Sequence, residues 1–141
     1  MDNSNTTQEE WTEKDELMME LSTKIIDDCT SQYDNVQDCG LLIDIEEGAV
    51  SAAGFANAND KKEGWPVKNL SIFHKSKELW KKMDKKWCSA FFCADLKSGK
   101  FNVNFLTKET MTWRKSVFDH VGEWTYYLNQ IKELRGESDE I

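Results

Sequence analysis

The chain has 141 residues, 39% of them hydrophobic and sixteen of them aromatic, which is enough for one compact core and too little for two independent ones. It has no run of eighteen apolar residues, so no membrane-spanning helix is expected, and a pI near 4.8 speaks against a surface built throughout for nucleic acid. The amino terminus, MDNSNTTQEE, lacks the basic start and apolar stretch of a secretory signal, which predicts a cytoplasmic protein. In that reducing compartment Cys29, Cys39, Cys88 and Cys93 are expected as free thiols.

Charge is unevenly spread. Residues 1–60 hold fifteen Asp or Glu against two lysines, a net of -13, whereas residues 61–141 hold eleven acids against sixteen bases, a net of +5. An acidic half attracts a basic partner and speeds the encounter.

One domain over residues 12–135 is expected, with polar, flexible ends at 1–11 and 136–141. From Thr12 to about Tyr33, Met18, Leu21, Ile25 and Cys29 recur at spacings of three and four, predicting an amphipathic helix. Thr12 with Asp15 supplies its capping-box start. Leu41, Ile43 and Ile45 then alternate with other residues, and Glu46-Glu47-Gly48 offers a turn before a second strand over Ala49 to Phe55. Asn57 to Gly64 reads as a polar loop, and Trp65-Pro66 as the entry to a short strand reaching Phe73.

A second helix is expected from a Ser76 cap, with Leu79, Met83 and Trp87 along one stripe. Cys88 to Leu96 is almost continuously apolar and predicts a central strand covered on both sides. Lys97 to Lys100 is a hairpin turn. Phe101, Val103 and Phe105 alternate with Asn102 and Asn104, predicting a strand with one wet face. Val121, Trp124, Leu128 and Ile131 mark a terminal helix starting near Asp119. The order predicts an α+β fold, an antiparallel sheet of about five strands packed against an N-terminal and a C-terminal helix, with the helices on one face.

Catalytic chemistry has little to stand on. A nucleophile of the triad type needs a base, yet only His74 and His120 are present, and no spacing pairs either with a Cys or Ser. Cys88-x₄-Cys93 falls within one strand, where positions five apart face opposite ways, so no zinc knuckle is expected. The glycines are scattered singly, without a phosphate loop. We therefore expect no enzyme, no metal and no cofactor. The lysines between 75 and 86 leave open a nucleic-acid-binding regulator as the alternative, and a small hydrolase would require one of the histidines in a pocket.

Several phrases resemble the YezG-like family of bacterial immunity proteins and antitoxins. They are Asp84-Lys85-Lys86-Trp87-Cys88, the run Ser98-Gly99-Lys100-Phe101-Asn102-Val103-Asn104-Phe105, and Trp113-Arg114 ahead of Trp124, behind an opening helix and an acidic hairpin. Together they cover roughly residues 15–128. The resemblance implies an α+β immunity protein that binds and neutralises a cognate toxin, commonly a nuclease with a basic cleft; from the acidic pI and the lack of an apolar span, no nucleic-acid or membrane partner is expected. No family motif assigns contact residues. The acidic hairpin and the loop after it point to Glu46, Glu47, Asp60, Glu63 and Trp65 as the partner-binding set.

Overall fold

The structure, a computed structural model, describes residues 12–116 and 119–136. Helix α1 (Glu13–Gln32) starts where the Thr12 amide donates to the Asp15 carboxylate at 2.9 Å, the capping box expected from these two residues. Its buried stripe contains Leu17, Leu21, Ile25 and Cys29. Strands β1 (Val36–Glu46), β2 (Ala49–Ala58) and β3 (Lys61–Trp65) follow as two consecutive hairpins. Helix α2 (Ser71–Lys82) crosses over to β4 (Ser89–Asp95), which turns into β5 (Lys100–Leu106), and α3 (His120–Arg135) closes the chain. The five strands form one antiparallel sheet in the order β3-β2-β1-β4-β5, so the α+β class and the antiparallel sheet hold.

The helices cover both faces of the sheet, not one. Alternation along β1 sends Cys39, Leu41, Ile43 and Ile45 into a core with α1 and α2, and sends Leu42 into a second core with Tyr127 and Ile131 of α3. Gly40 shares that second side, where a Cβ would stand 2.6 Å from the Tyr127 ring. All seven residues of β4 are buried, as the apolar run 88–96 required, although β1 is the middle strand.

Three local expectations are corrected. Residues 57–64 are not a loop. Asn59 and Asp60 take φ of 53° and 61°, the two-residue turn that matches strand twist, so the polar stretch is an edge hairpin. The short strand expected from Trp65-Pro66 to Phe73 does not form: β3 ends at Trp65, since Pro66 has no N–H to donate, and Asn69 Oδ1 accepts the Ser71 amide at 3.1 Å to open α2. Ser76 is therefore inside that helix, its hydroxyl donating to the Ile72 carbonyl at 2.7 Å, and Asp84 and Lys85, at φ of 58° and 56°, end the helical path before Trp87.

The wet face expected for β5 is also covered. Asn102 and Asn104 both donate to Gln130 Oε1 on α3, at 3.2 and 2.8 Å. The terminal helix starts as expected, with Asp119 Oδ1 accepting from the Gly122 amide at 3.1 Å. Gly136 closes it in the left-handed conformation, and the other residues of the expected flexible ends lie outside the described residues. No helix among the described residues is long and apolar enough to cross a membrane.

Candidate functional site

Helix α3 is fixed by charged groups buried at both ends of the sheet. At one end, Asp38 of β1 accepts hydrogen bonds from Tyr127 and from Asn57 Nδ2, and Arg135 reaches its Oδ2 at 2.6 Å. The same guanidinium donates through Nε to Asp95 at 3.1 Å. Burial pushes the Asp95 carboxyl up, but the bonds from Ser98 and Arg135 outweigh it and hold the group below the usual carboxylate range. Tyr127 is held far above a normal phenol by burial and by the adjacent Asp38 charge.

At the other end, Arg114 forms a two-pronged bond to Asp44, at 2.7 and 2.9 Å, and reaches Glu123 at 3.0 Å. Ser89 donates to the same Asp44 at 2.6 Å. The Asp44 bond raises the Arg114 pKa, whereas burial raises that of Glu123 in spite of its guanidinium neighbour. Arg114 is bound principally by Asp44.

Above this second cluster lies an open cleft of about 660 Å³, within the range of roughly 300–1,000 Å³ typical of ligand sites. The end of β1 and the start of β2 form one wall, with Glu46 and Glu47 exposed on it. The segment after β5 forms another, with Met111, Arg114 and the exposed Lys108 and Lys115. Glu47 and Gly48 take φ of 52° and 81°, a tight turn whose backbone fixes the tip. Among the described residues neither Glu46 nor Glu47 is in an ion pair, and Lys77 of α2 approaches the turn, its Nζ 3.6 Å from where a Cβ on Gly48 would stand.

The five residues expected to bind a partner are not brought together. Asp60 lies in the β2–β3 turn and Glu63 on β3, separated from the Glu46–Glu47 tip by the length of β2, on the order of 30 Å for ten residues. Trp65 is only 3% exposed, its indole donating to the Phe55 carbonyl at 3.0 Å, and its ring fills the space over Gly54. It belongs to the core and offers no face to a partner. Apolar walls and a hydrogen-bonded N–H are what a large aromatic gains by burial, and the dipeptide Trp65-Pro66 does not reveal it.

Asp38, Asp44 and Arg114 were missed as candidates. Their only sequence signal is a carboxylate at Asp38 and Asp44 on the same alternate side of an otherwise apolar strand, where a partner must exist to satisfy each.

The charge imbalance along the chain also shrinks in space. Helices α1 and α2 lie side by side, and Lys75 pairs with Glu20 at 3.3 Å while Lys82 pairs with Glu13. Lys85 sits over the Trp80 ring, 5.4 Å from its centroid. Three of the six lysines between 75 and 86 are thus already engaged.

The cysteines and histidines stand apart from the cleft, except for Cys88 on its lining. All four cysteines are free. Cys39 is pushed up by its contact with Cys29 and by burial, and Cys93 by burial, so both remain thiols at neutral pH. His74 and His120 are exposed on α2 and α3, and neither lines the cleft. Among the described residues no group of three His, Cys, Asp or Glu is placed to hold a metal ion. The chain matches no protein-family model and no curated protein sequence.

Proposed function

We propose that this protein is an inhibitor of the immunity type, which binds a cognate toxin and blocks its basic, substrate-binding surface through the β1–β2 tip. The observation that carries this reading is the pair Glu46 and Glu47, exposed on a tight turn at the lip of the cleft with no ion pair among the described residues. Carboxylates held on a rigid turn engage a cationic surface with little ordering of the backbone on binding. A nuclease domain is the expected partner, because its cleft is lined for phosphate, and the expected compartment is the cytoplasm. Asp60 and Glu63 fall outside this contact surface, and Trp65 is buried over Gly54, away from it.

The reading is tested by co-expressing the tagged chain with the product of the neighbouring open reading frame, then repeating the capture with Glu46→Lys/Glu47→Lys. A stoichiometric complex that silences a toxic neighbour, and that the double reversal weakens by tenfold or more, about 1.4 kcal/mol, is the expected result. The reversal should leave the melting temperature almost unchanged, since exposed turn charges contribute little to folding. Equal capture by wild type and variant would move the contact surface elsewhere. Recovery of nucleic acid in place of protein would overturn the inhibitor reading.

A further inference from the structure

Two exposed acids and two exposed lysines line the same cleft from different walls: Glu46 and Glu47 from the β1–β2 turn, Lys108 and Lys115 from the segment after β5. The remaining cation, Arg114, already faces Asp44 across two hydrogen bonds. What the cleft offers a visitor is therefore two charges of each sign. A polyanion such as nucleic acid would meet Glu46 and Glu47, and a purely cationic strand would meet the lysines.

Arg114 is itself committed to the protein's interior, through Asp44 and Glu123. Its side chain is only 7% exposed, it lines the cleft, and its Nε is buried without a hydrogen-bond partner among the described residues. Met111 and Val50 give the apolar surface against which an aliphatic stem can lie.

We propose that the cleft seats a peptide segment of the partner protein that carries one cationic and one anionic side chain. The cation lies against Glu46 and Glu47, and the anion against Lys108 and Lys115. This rests on the protein-partner reading above and adds that the partner is recognised by a bipolar segment seated in the cleft, not by net positive charge alone.

The test uses the full-length ¹⁵N-labelled chain and three blocked peptides, Ac-Arg-Ala-Glu-NH₂, Ac-Arg-Ala-Gln-NH₂ and Ac-Gln-Ala-Glu-NH₂, followed by amide shifts. The bipolar peptide should give saturable shifts confined to the hairpin tip, the start of β4 and residues around 108–116, and each single-charge control should bind about three- to fivefold more weakly. Glu46→Gln/Glu47→Gln should bring the bipolar peptide down to the affinity of Ac-Gln-Ala-Glu-NH₂. No saturable shift with the bipolar peptide, or equal binding by the controls, would overturn the proposal. Because no toxin is present, the two readings separate. Capture of a partner by a chain that ignores all three peptides sinks the cleft proposal and spares the inhibitor reading, whereas peptide binding by a chain that captures no protein does the reverse.

Discussion

Tyr127 donates its phenolic hydrogen to Asp38, a residue 89 positions earlier in the chain, and this bond ties helix α3 to the middle strand of the sheet. Both groups are fully buried. Asn57 and Arg135 complete the shell around the carboxylate, so Asp38 is a buried charge with every neighbour committed to it.

Tyr127→Phe keeps the ring packed against Phe55, whose centroid is 5.5 Å away, but leaves Asp38 one donor short. The expected loss of stability is about 1–3 kcal/mol, read as a lower urea midpoint with an unchanged slope. A change below about 0.5 kcal/mol would mean that Asn57 and Arg135 already satisfy the carboxylate.

Glu123 sets a pH dependence. Burial raises its folded pKa above the ordinary 4.5, so the folded protein holds that proton over a window in which the unfolded chain has released it. Its contribution is fully present below the unfolded value and is lost as pH rises through the folded one. Glu123→Gln cannot titrate, and the stability of the wild type relative to the variant should therefore fall as pH is raised from about 4 towards neutrality. Parallel stabilities at every pH would show that Glu123 titrates alike in the folded and unfolded chain, and a wild-type advantage that grows with pH would show that Arg114 holds it ionised.

Gly40 has no room for a side chain, since a Cβ would stand 2.6 Å from the Tyr127 ring and 2.7 Å from the Phe92 carbonyl oxygen. Gly40→Ala is expected to destabilise by about 1–3 kcal/mol or more through forced displacement of α3. Gly64→Ala is the control, because its Cβ would find only an ordinary contact at 3.7 Å. Thermal melts should separate the two clearly, with Gly64→Ala close to wild type.

Asp28 is the acidic residue of α1 that faces inward. Its Oδ2 accepts the amides of Lys68 and Asn69 at 2.9 and 3.0 Å and so anchors the segment that leads into α2. Asp28→Ala should speed hydrogen exchange at those two amides by more than it affects β1 and β4, and lower stability by about 1–3 kcal/mol. Uniform acceleration across the sheet would indicate that the anchor holds the whole fold together.

Local chemistry is what the sequence states directly. The apolar spacing of Leu21, Ile25 and Cys29 gives α1, the Thr12–Asp15 pair gives its start, and Glu46-Glu47-Gly48 gives the turn that became the candidate contact. Each depends on residues within a few positions of one another, where periodicity and φ preference are decisive. The same logic misread 57–64, because polarity marks exposure and an edge hairpin is as exposed as a loop.

Which residues meet across the fold was decided only by the tertiary structure. Period-two alternation says that Asp38, Gly40 and Leu42 share a side of β1, but not that α3 covers it, because that contact joins residues up to 97 positions apart. The bond from Arg114 to Asp44 spans 70 positions and has no local signature. For the same reason Lys75 and Lys82 of α2 pair with Glu20 and Glu13 of the acidic half, Trp65 turns inward, and of the five expected contact residues only Glu46 and Glu47 stand together at the cleft. A linear pattern fixes which side chains share a face; the packing of distant segments fixes what that face meets.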